Sequence, residues 1–391
     1  MISRTISNYL YDWSLSSSPP PLLITGAPQT GKASAVLELS GKFGQLLHIR
    51  PGDPAWKKFF LQQVDPAEMV SGLFFLSGKS PTVKRTLFFF EEIQESPAAI
   101  LFAKKLQGAR PGSFIAATAS HLSPELESWP AGPSGKPSRL NMFPCTFAEF
   151  LGALGDPELE DGYRELPIPA FLREKLMKKF HLYSLTGGMP QVIRKYLQDH
   201  HLSGLRPVYE EILQSQTDQA MAGAKNRRWR EMTRFALQNA FPYAATRIRF
   251  ASFGNSPYRS REMGEIFRSL EKKFLVKLIH PSVTTTLPLQ TDAGRFPRLH
   301  LPDTGMVSHF SGIQKELYRT TDLSELFRGQ IARQVVAQEL RAMDPRQDEL
   351  HFWIPTKLQS TAEVDFLVRY HDLAIPVEVR PDEPGRLRSL H

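Results

Sequence analysis

One cysteine, Cys145, in 391 residues excludes an intrachain disulfide and any cysteine-based zinc cluster within one chain. It reads as a small packed residue. Long apolar runs are also missing: Leu87 to Phe90 and Gly72 to Leu76 are among the longest, far short of the roughly 20 residues that cross a bilayer. No membrane span is expected. The first residues, Met1 to Tyr9, lack the basic start and apolar stretch of a secretory signal, so the expected location is the cytoplasm. A strong charge imbalance is absent too. Lys and Arg number 48 against 40 Asp and Glu, a net charge of +8, which permits contact with nucleic acid without selecting it. There is no internal repeat. The hydrophobic content of 41% is enough to give each of two to four domains a core.

The most informative segment follows the apolar strand Pro21-Leu22-Leu23-Ile24. Gly26-Ala27-Pro28-Gln29-Thr30-Gly31-Lys32 fits G-x-x-x-x-G-K, the phosphate-binding loop, and continues into Ala33 and Ser34. Glycines let backbone N–H groups curl around phosphates, the lysine reaches the β and γ oxygens, and the next helix points its positive end at the ligand. The residue after the lysine is usually Ser or Thr, whose hydroxyl binds the nucleotide's Mg²⁺. Ala33 has no hydroxyl. The cradle for ATP or ADP is therefore expected to survive, with a weakened Mg²⁺ site.

Periodicity organises the chain around this loop. A short helix is predicted over Arg4 to Trp13, a helix over Ser34 to Phe43, and buried strands over Leu46 to Ile49, Thr86 to Glu92 and Ser113 to Thr118, with a helix at Ala98 to Leu106. Continuous apolar strands alternating with helices predict an α/β fold with a parallel sheet covered on both faces. Thr146 and Glu149 form a capping box for the helix Thr146 to Leu154. Helical patterns from Ala170 to about Ala240 read as a helical lid, broken at Gly187-Gly188-Met189-Pro190. The helix Arg261 to Lys273 and the strand Phe274 to Ile279 read as part of a winged helix. A helix over Gln330 to Arg341 and three strand candidates, Leu350 to Trp353, Ala362 to Val368 and Ile375 to Arg380, close the chain. The expected division is 1–160 for the ATP-binding domain, 161–240 for the lid, 241–312 for the winged helix and 313–391 for a small α+β domain.

Glu91 and Glu92 end an apolar strand, which places them at the same sheet edge as the loop. In this position the first acid holds the metal's water shell and the second polarises the attacking water. Glu92 is the candidate base and Glu91 the candidate Mg²⁺ residue. Ser120, after the next strand, is a candidate γ-phosphate sensor. Lys225, Arg227, Arg228, Arg230 and Arg234 with Trp229, and Arg259, Arg261, Arg268, Lys272 and Lys273 further on, are either phosphate contacts for nucleic acid or solvated helix faces paired with Glu231, Glu262, Glu265 and Glu271. Asp365 on one strand and Glu378-Val379-Arg380 on the next approach the D…E-x-K pattern of restriction-type nucleases. Arg380 replaces the lysine, and a guanidinium is a poor base. Nuclease activity is not expected, and the module is read as serving binding or interaction.

Taken in order, these motifs resemble the prokaryotic AAA-type P-loop ATPases that carry a C-terminal restriction-nuclease-like domain of unknown function. Phe90-Glu91-Glu92-Ile93-Gln94-Glu95-Ser96-Pro97 resembles the family's strand-D-E-I-Q-x-x-P. Pro144 to Leu151 resembles P-x-x-F-x-E-F-L, and Gly187-Gly188-Met189-Pro190, Asp303-Thr304-Gly305-Met306 and Ala362-Glu363-Val364-Asp365-Phe366 follow. The resemblance implies an ATP-binding core, a lid, a winged helix and a nuclease-like module, with ATP and Mg²⁺ as ligands. Against that pattern Pro28 stands for Arg, Ala33 for Thr, Glu91 for Asp and Ala119 for Gly. Arg333 stands for the helix glutamate, Arg380 for Lys, and the chain ends at His391, earlier than the family pattern. The expectation is a degenerate member with slow or absent hydrolysis, whose terminal module is shortened and inactive. The alternatives are a working Mg²⁺-dependent ATPase, in which Ser34 or water replaces the lost ligand, and a nucleic-acid-binding module. A protein partner or a homo-oligomer is also open.

Overall fold

The computed structural model describes residues 2–62, 65–110, 112–131, 138–165, 167–312, 330–355 and 363–380. Ala362 and the terminal Arg388, Ser389 and Leu390 lie outside these residues. The chain divides into two compact units. The first comprises residues 3–142 with 345–347, and the second the described residues from 143 to 344 and from 348 on, with Ile2.

The first unit runs α1 (Ile6–Leu15), β1 (Leu22–Thr25), α2 (Lys32–Leu39), β2 (Gln45–Ile49), α3 (Pro54–Phe60), α4 (Pro66–Ser77), β3 (Thr86–Phe90), α5 (Pro97–Ala109), β4 (Phe114–Ala119), the short α6 (Pro124–Glu127) and β5 (Arg139–Asn141). The strands form a five-stranded sheet in the order β2-β3-β4-β1-β5, with every pairing parallel. Period-two alternation explains how both faces are covered. Leu87 and Phe89 of β3 join a cluster with Leu10 of α1 and Val36 of α2. Phe88 and Phe90 join the opposite cluster with Phe60, Leu73 and Phe102 of α3, α4 and α5. A strand apolar on both sides can lie only in the middle of such a sandwich, and β3 is flanked by β2 and β4.

Proline opens α3, α4 and α5 at their first positions, where the missing N–H costs nothing. The side chain of Ser96 caps Ala99 N at 3.2 Å. Trp129 is buried, and its indole N–H donates to Pro21 O at 2.8 Å, anchoring the entry into β1. The helix expected to reach Phe43 ends at Leu39 and tightens into a 3-10 turn over Ser40–Lys42. The strand expected to run to Glu92 stops at Phe90, because Glu92 takes a left-handed conformation at φ 50° that extended pairing does not admit.

The second unit continues with α7 (Phe147–Leu154), α8 (Pro157–Arg164), α9 (Arg173–Thr186), α10 (Pro190–Asp199), α11 (Arg206–Met221), α12 (Arg227–Gln238), β6 (Thr246–Arg247), α13 (Ser260–Lys272), β7 (Lys277–Ile279), β8 (Pro281–Ser282), β9 (Arg298–His300), α14 (Thr304–Phe310), α15 (Gln330–Ala342), β10 (His351–Trp353), β11 (Val364–Tyr370) and β12 (Leu373–Val377). Phe150, Tyr183, Tyr209, Phe241 and Phe267 lie in one large core cluster. The capping box of α7 is present, with Glu149 N donating to Thr146 Oγ1 at 3.3 Å and Thr146 N to Glu149 Oε2 at 3.0 Å.

Beside α12 and α13, β6, β9 and β7 form an antiparallel three-stranded sheet. The strand expected from Phe274 begins only at Lys277, since Phe274 turns the chain out of α13 at φ 57°. The other sheet has the order β12-β11-β10-β8; β10, β11 and β12 are antiparallel neighbours, and β8 adds in parallel to β10.

Candidate functional site

The loop between β1 and α2 is shaped by close approach. Gly26 adopts φ 154°, and a Cβ there would collide with the carbonyl oxygen of Met142, so only glycine fits. Gly31 takes φ 99° and Gln29 φ 64°, turning the chain sharply before Lys32 starts α2. Arg4 Nη1 donates to Thr30 O at 2.9 Å and Thr30 Oγ1 to Ala27 O at 2.9 Å, pinning the loop. Amides in the first turn of a helix have no intrahelical partner and are available to an anion.

Lys32 is 4% exposed. Its Nζ donates to Gly26 O at 3.1 Å, Ala27 O at 2.9 Å and Ser120 Oγ at 2.8 Å, and Glu92 Oε1 lies 3.7 Å away. Burial lowers the pKa of the amine, while the charge of Glu92 acts in the opposite direction. Ser120 bridges the two: its hydroxyl donates to Glu92 Oε1 at 3.0 Å and its amide to Glu92 Oε2 at 3.1 Å. Gln94 Nε2 donates to Glu92 Oε2 at 2.7 Å, and Glu92 N donates to Thr118 Oγ1 at 3.1 Å. Lys32, Ser120 and Glu92, expected at one sheet edge, form one chain of contacts. Buried Gln29 Oε1 has no hydrogen-bond partner. This desolvated, donor-rich cradle fits a phosphate chain.

The donor set for a cation is different. Glu91 Oε2 accepts from His48 Nε2 at 2.7 Å and from Arg50 Nε at 2.9 Å. The hydrogen bond from His48, with that from Arg50, holds the carboxyl down to about 2 against the effect of burial. Ala33 packs against the apolar cluster beneath α2, and Ser34 is exposed. Among the described residues no group of three His, Cys, Asp or Glu side chains is arranged to hold a metal ion. The hydroxyl that usually binds Mg²⁺ after the loop lysine is missing at Ala33, and the carboxylate of Glu91 is engaged by His48 and Arg50. His48 and Arg50 were not legible as partners of Glu91, because only the register of β2 on β3, with Ile49 opposite Phe90, brings them to it.

The other candidates lie in the second unit. In the basic segment Arg227 pairs with Glu231 at 2.8 Å, Arg228 with Glu262 at 3.0 Å and Arg261 with Glu265 at 3.4 Å. Lys273 Nζ donates to Gln219 O at 3.1 Å, Ala220 O at 2.6 Å and Ala222 O at 3.0 Å, closing the end of α11. Asp365, Glu378 and Arg380 do converge, on a cavity of about 570 Å³. Arg333, where the resemblance implies a glutamate, donates from Nε to Asp365 Oδ1 at 2.7 Å, and Arg380 pairs with Glu378 at 2.6 Å.

Residues 18–151 match the family model described as an AAA domain, and residues 177–317 match that of a domain of unknown function. No curated protein matches the chain. Among solved structures, the Walker-type ATPase of Pyrococcus abyssi is similar at 13% identity and TM-score 0.45, over 79% of this chain and 96% of that one. A signal transduction ATPase with numerous domains and a tetratricopeptide repeat sensor, from Pyrococcus horikoshii, is similar at 14% identity and TM-score 0.31, over 88% of this chain and 47% of that one. The Orc1 protein of Aeropyrum pernix, solved in complex with DNA, is similar at 12% identity and TM-score 0.26, over 80% of this chain and 92% of that one. The match over residues 18–151, the G-x-x-x-x-G-K loop and the five-stranded parallel sheet agree on a P-loop nucleotide-triphosphatase fold for the first unit.

Proposed function

We propose that the chain is a nucleotide-binding switch, in which ATP or ADP occupies the loop Gly26 to Ser34 and hydrolysis is slow or absent. The observation that carries the reading is the buried amine of Lys32, satisfied by the loop's own carbonyls and by Ser120. A phosphate chain entering the cradle offers that amine stronger, charged acceptors. Lys32 then exchanges Gly26 O and Ala27 O for phosphate oxygens and loosens its hold on Ser120, and Glu92 is released with it. The move is a population shift between two local arrangements, driven only by the ligand's preference for one of them. Weak support for Mg²⁺ follows from Ala33, which offers no hydroxyl, and from Glu91, whose carboxylate serves His48 and Arg50. Transition-state stabilisation in phosphoryl transfer depends on that ion, so turnover suffers more than binding.

Calorimetric titration of ATP, with and without Mg²⁺, into the wild-type chain and Lys32→Ala tests the reading when phosphate release is assayed on the same samples. Binding that depends on Lys32 and varies little with Mg²⁺, with negligible release, supports the switch. Absence of binding, or an affinity indifferent to Lys32, overturns it.

A second reading, an active ATPase, draws on Glu92. Its carboxylate is oriented by Ser120 and Gln94 beside Lys32, which suits a base that positions water. Release that is Lys32-dependent and abolished by Glu92→Gln favours this second reading over the first. No observation specifically favours the nucleic-acid reading, since pairs as exposed as Arg227–Glu231 and Arg261–Glu265 neither block nor supply phosphate contacts.

A further inference from the structure

The cavity in the second unit carries an excess of positive charge that nothing in the nucleotide reading uses. Its lining holds Arg247, Arg298, Arg333 and Arg380 against Glu363, Asp365 and Glu378. The carboxylates are already committed. Asp365 Oδ1 accepts from Arg333 at 2.7 Å and Oδ2 from Val379 N at 2.9 Å. Glu363 is shared by Arg247, at 2.6 Å, and Arg298. Both bonds from Arg380, at 2.8 and 2.6 Å, go to Glu378 Oε2. Among the described residues only Glu378 Oε1 is left of these carboxylate oxygens, buried and without a hydrogen bond, and one oxygen does not make a cation site.

The donors are in the opposite condition. A guanidinium carries five N–H donors and stays protonated. Arg298 is engaged by Glu363, Asp365 and the Asp365 carbonyl, whereas Arg247, Arg333 and Arg380 each have one carboxylate partner among the described residues, which leaves N–H groups of those three forks to an incoming group. Arg247, Arg333 and Arg380 are 40%, 35% and 44% exposed, whereas Arg298 is 4% exposed at the back of the cavity. Burial, with the neighbouring Arg333 and Arg247 adding to it, lowers Arg298 to about 10 despite Asp365. An incoming anion relieves that crowding. The three exposed forks line one cavity from three separate elements, β6, α15 and the segment after β12. A phosphate monoester offers an oxygen to each of the three, one more than a carboxylate has, and the volume suits a ligand of mononucleotide size.

We propose that this cavity binds a phosphate monoester, with Arg247, Arg333 and Arg380 donating to its oxygens and Arg298 supplying the buried charge behind them. Glu378 Oε1 accepts from a hydroxyl of the same ligand. The site is separate from the loop of the first unit and does not rest on the nucleotide reading.

The test uses the full chain carrying Lys32→Ala, which silences the loop, titrated calorimetrically with inorganic phosphate, adenosine monophosphate and adenosine. Both phosphates are expected to bind and adenosine not. Arg247→Gln and Arg380→Gln are each expected to weaken binding about tenfold or more, and binding should weaken as salt rises. Glu363→Gln removes a competing carboxylate and is expected to tighten phosphate several-fold, a gain that a misfolded chain cannot give. Tighter binding of a 5′-phosphorylated oligonucleotide than of adenosine monophosphate, lost without the 5′-phosphate, assigns the monoester to a strand end. Equal or weaker binding assigns it to a small molecule. No phosphate binding at millimolar concentration, affinity unchanged in both arginine variants, or Mn²⁺ binding that disappears in Glu378→Ala overturns the proposal.

Discussion

Lys32 is costly to bury and therefore closely partnered. An ammonium group out of water needs its hydrogen bonds met, and three oxygens from the loop and the end of β4 meet them. Removing the amine by Lys32→Ala is expected to lower ATP affinity about 100-fold, near 2.7 kcal/mol, measured by calorimetry. The neighbouring position offers the converse experiment. Ala33→Thr returns a hydroxyl to the start of α2, and ATP should then bind about tenfold tighter with Mg²⁺ than without it. An affinity that stays indifferent to Mg²⁺ in this variant would show that the environment of Glu91 limits the ion. The loop was legible in the sequence because its chemistry is local: glycines, lysine and the missing hydroxyl stand within nine consecutive positions, 26–34. Gly26 is needed for a non-local reason, the carbonyl of Met142, which no spacing announces.

Element by element, legibility follows how far a segment's neighbours lie along the chain. The run Leu87 to Phe90 announced a central strand because both of its faces are apolar, and it is fully buried in the sheet. Phe88→Ala is expected to destabilise the first unit by about 3–5 kcal/mol, read as a lower urea midpoint. Thr146→Ala removes one half of a capping box seen both in sequence and in structure, at an expected cost of about 1 kcal/mol. What pattern alone did not reveal is register. The pairing of β6 with β9 sets Arg247 opposite Arg298, and β11 and β12 place Glu363, Asp365 and Glu378 around the same cavity. The sequence offered Asp365, Glu378 and Arg380 as remnants of a nuclease pattern. Arg298 carried no signal, since a lone arginine at a strand start looks like any exposed charge.

On the scale of the whole molecule, two units with separate cores need not unfold in one step. Saturating ATP should raise the transition of the first unit only, by about 2.7 kcal/mol at 100 times Kd, with the urea transitions followed separately. The second unit has its own pH response. Burial raises Asp303 to about 6 and Glu339 to about 7, so the folded state holds these protons more tightly than the unfolded chain. That stabilisation is complete below the unfolded values and is lost as pH rises through about 6 and then about 7. Buried His300, held down to about 3 from 6.5, acts in the opposite sense below about pH 6.5, so the share of Glu339 is read as a difference: the urea midpoint of Glu339→Gln should gain on that of the wild type as pH rises from about 5 to about 8. The first unit, finally, is not contiguous in sequence. Pro345 O receives Asn141 N at 2.6 Å and Asn141 Nδ2 at 3.2 Å, next to the β5 edge that borders the loop strand. A gene cut after Met142 would encode every residue of the phosphate cradle yet leave that edge without its acceptor. A chain ending at Met142 is thus expected to show a lower urea midpoint for this unit than the full chain does, because residues 345–347 are part of it.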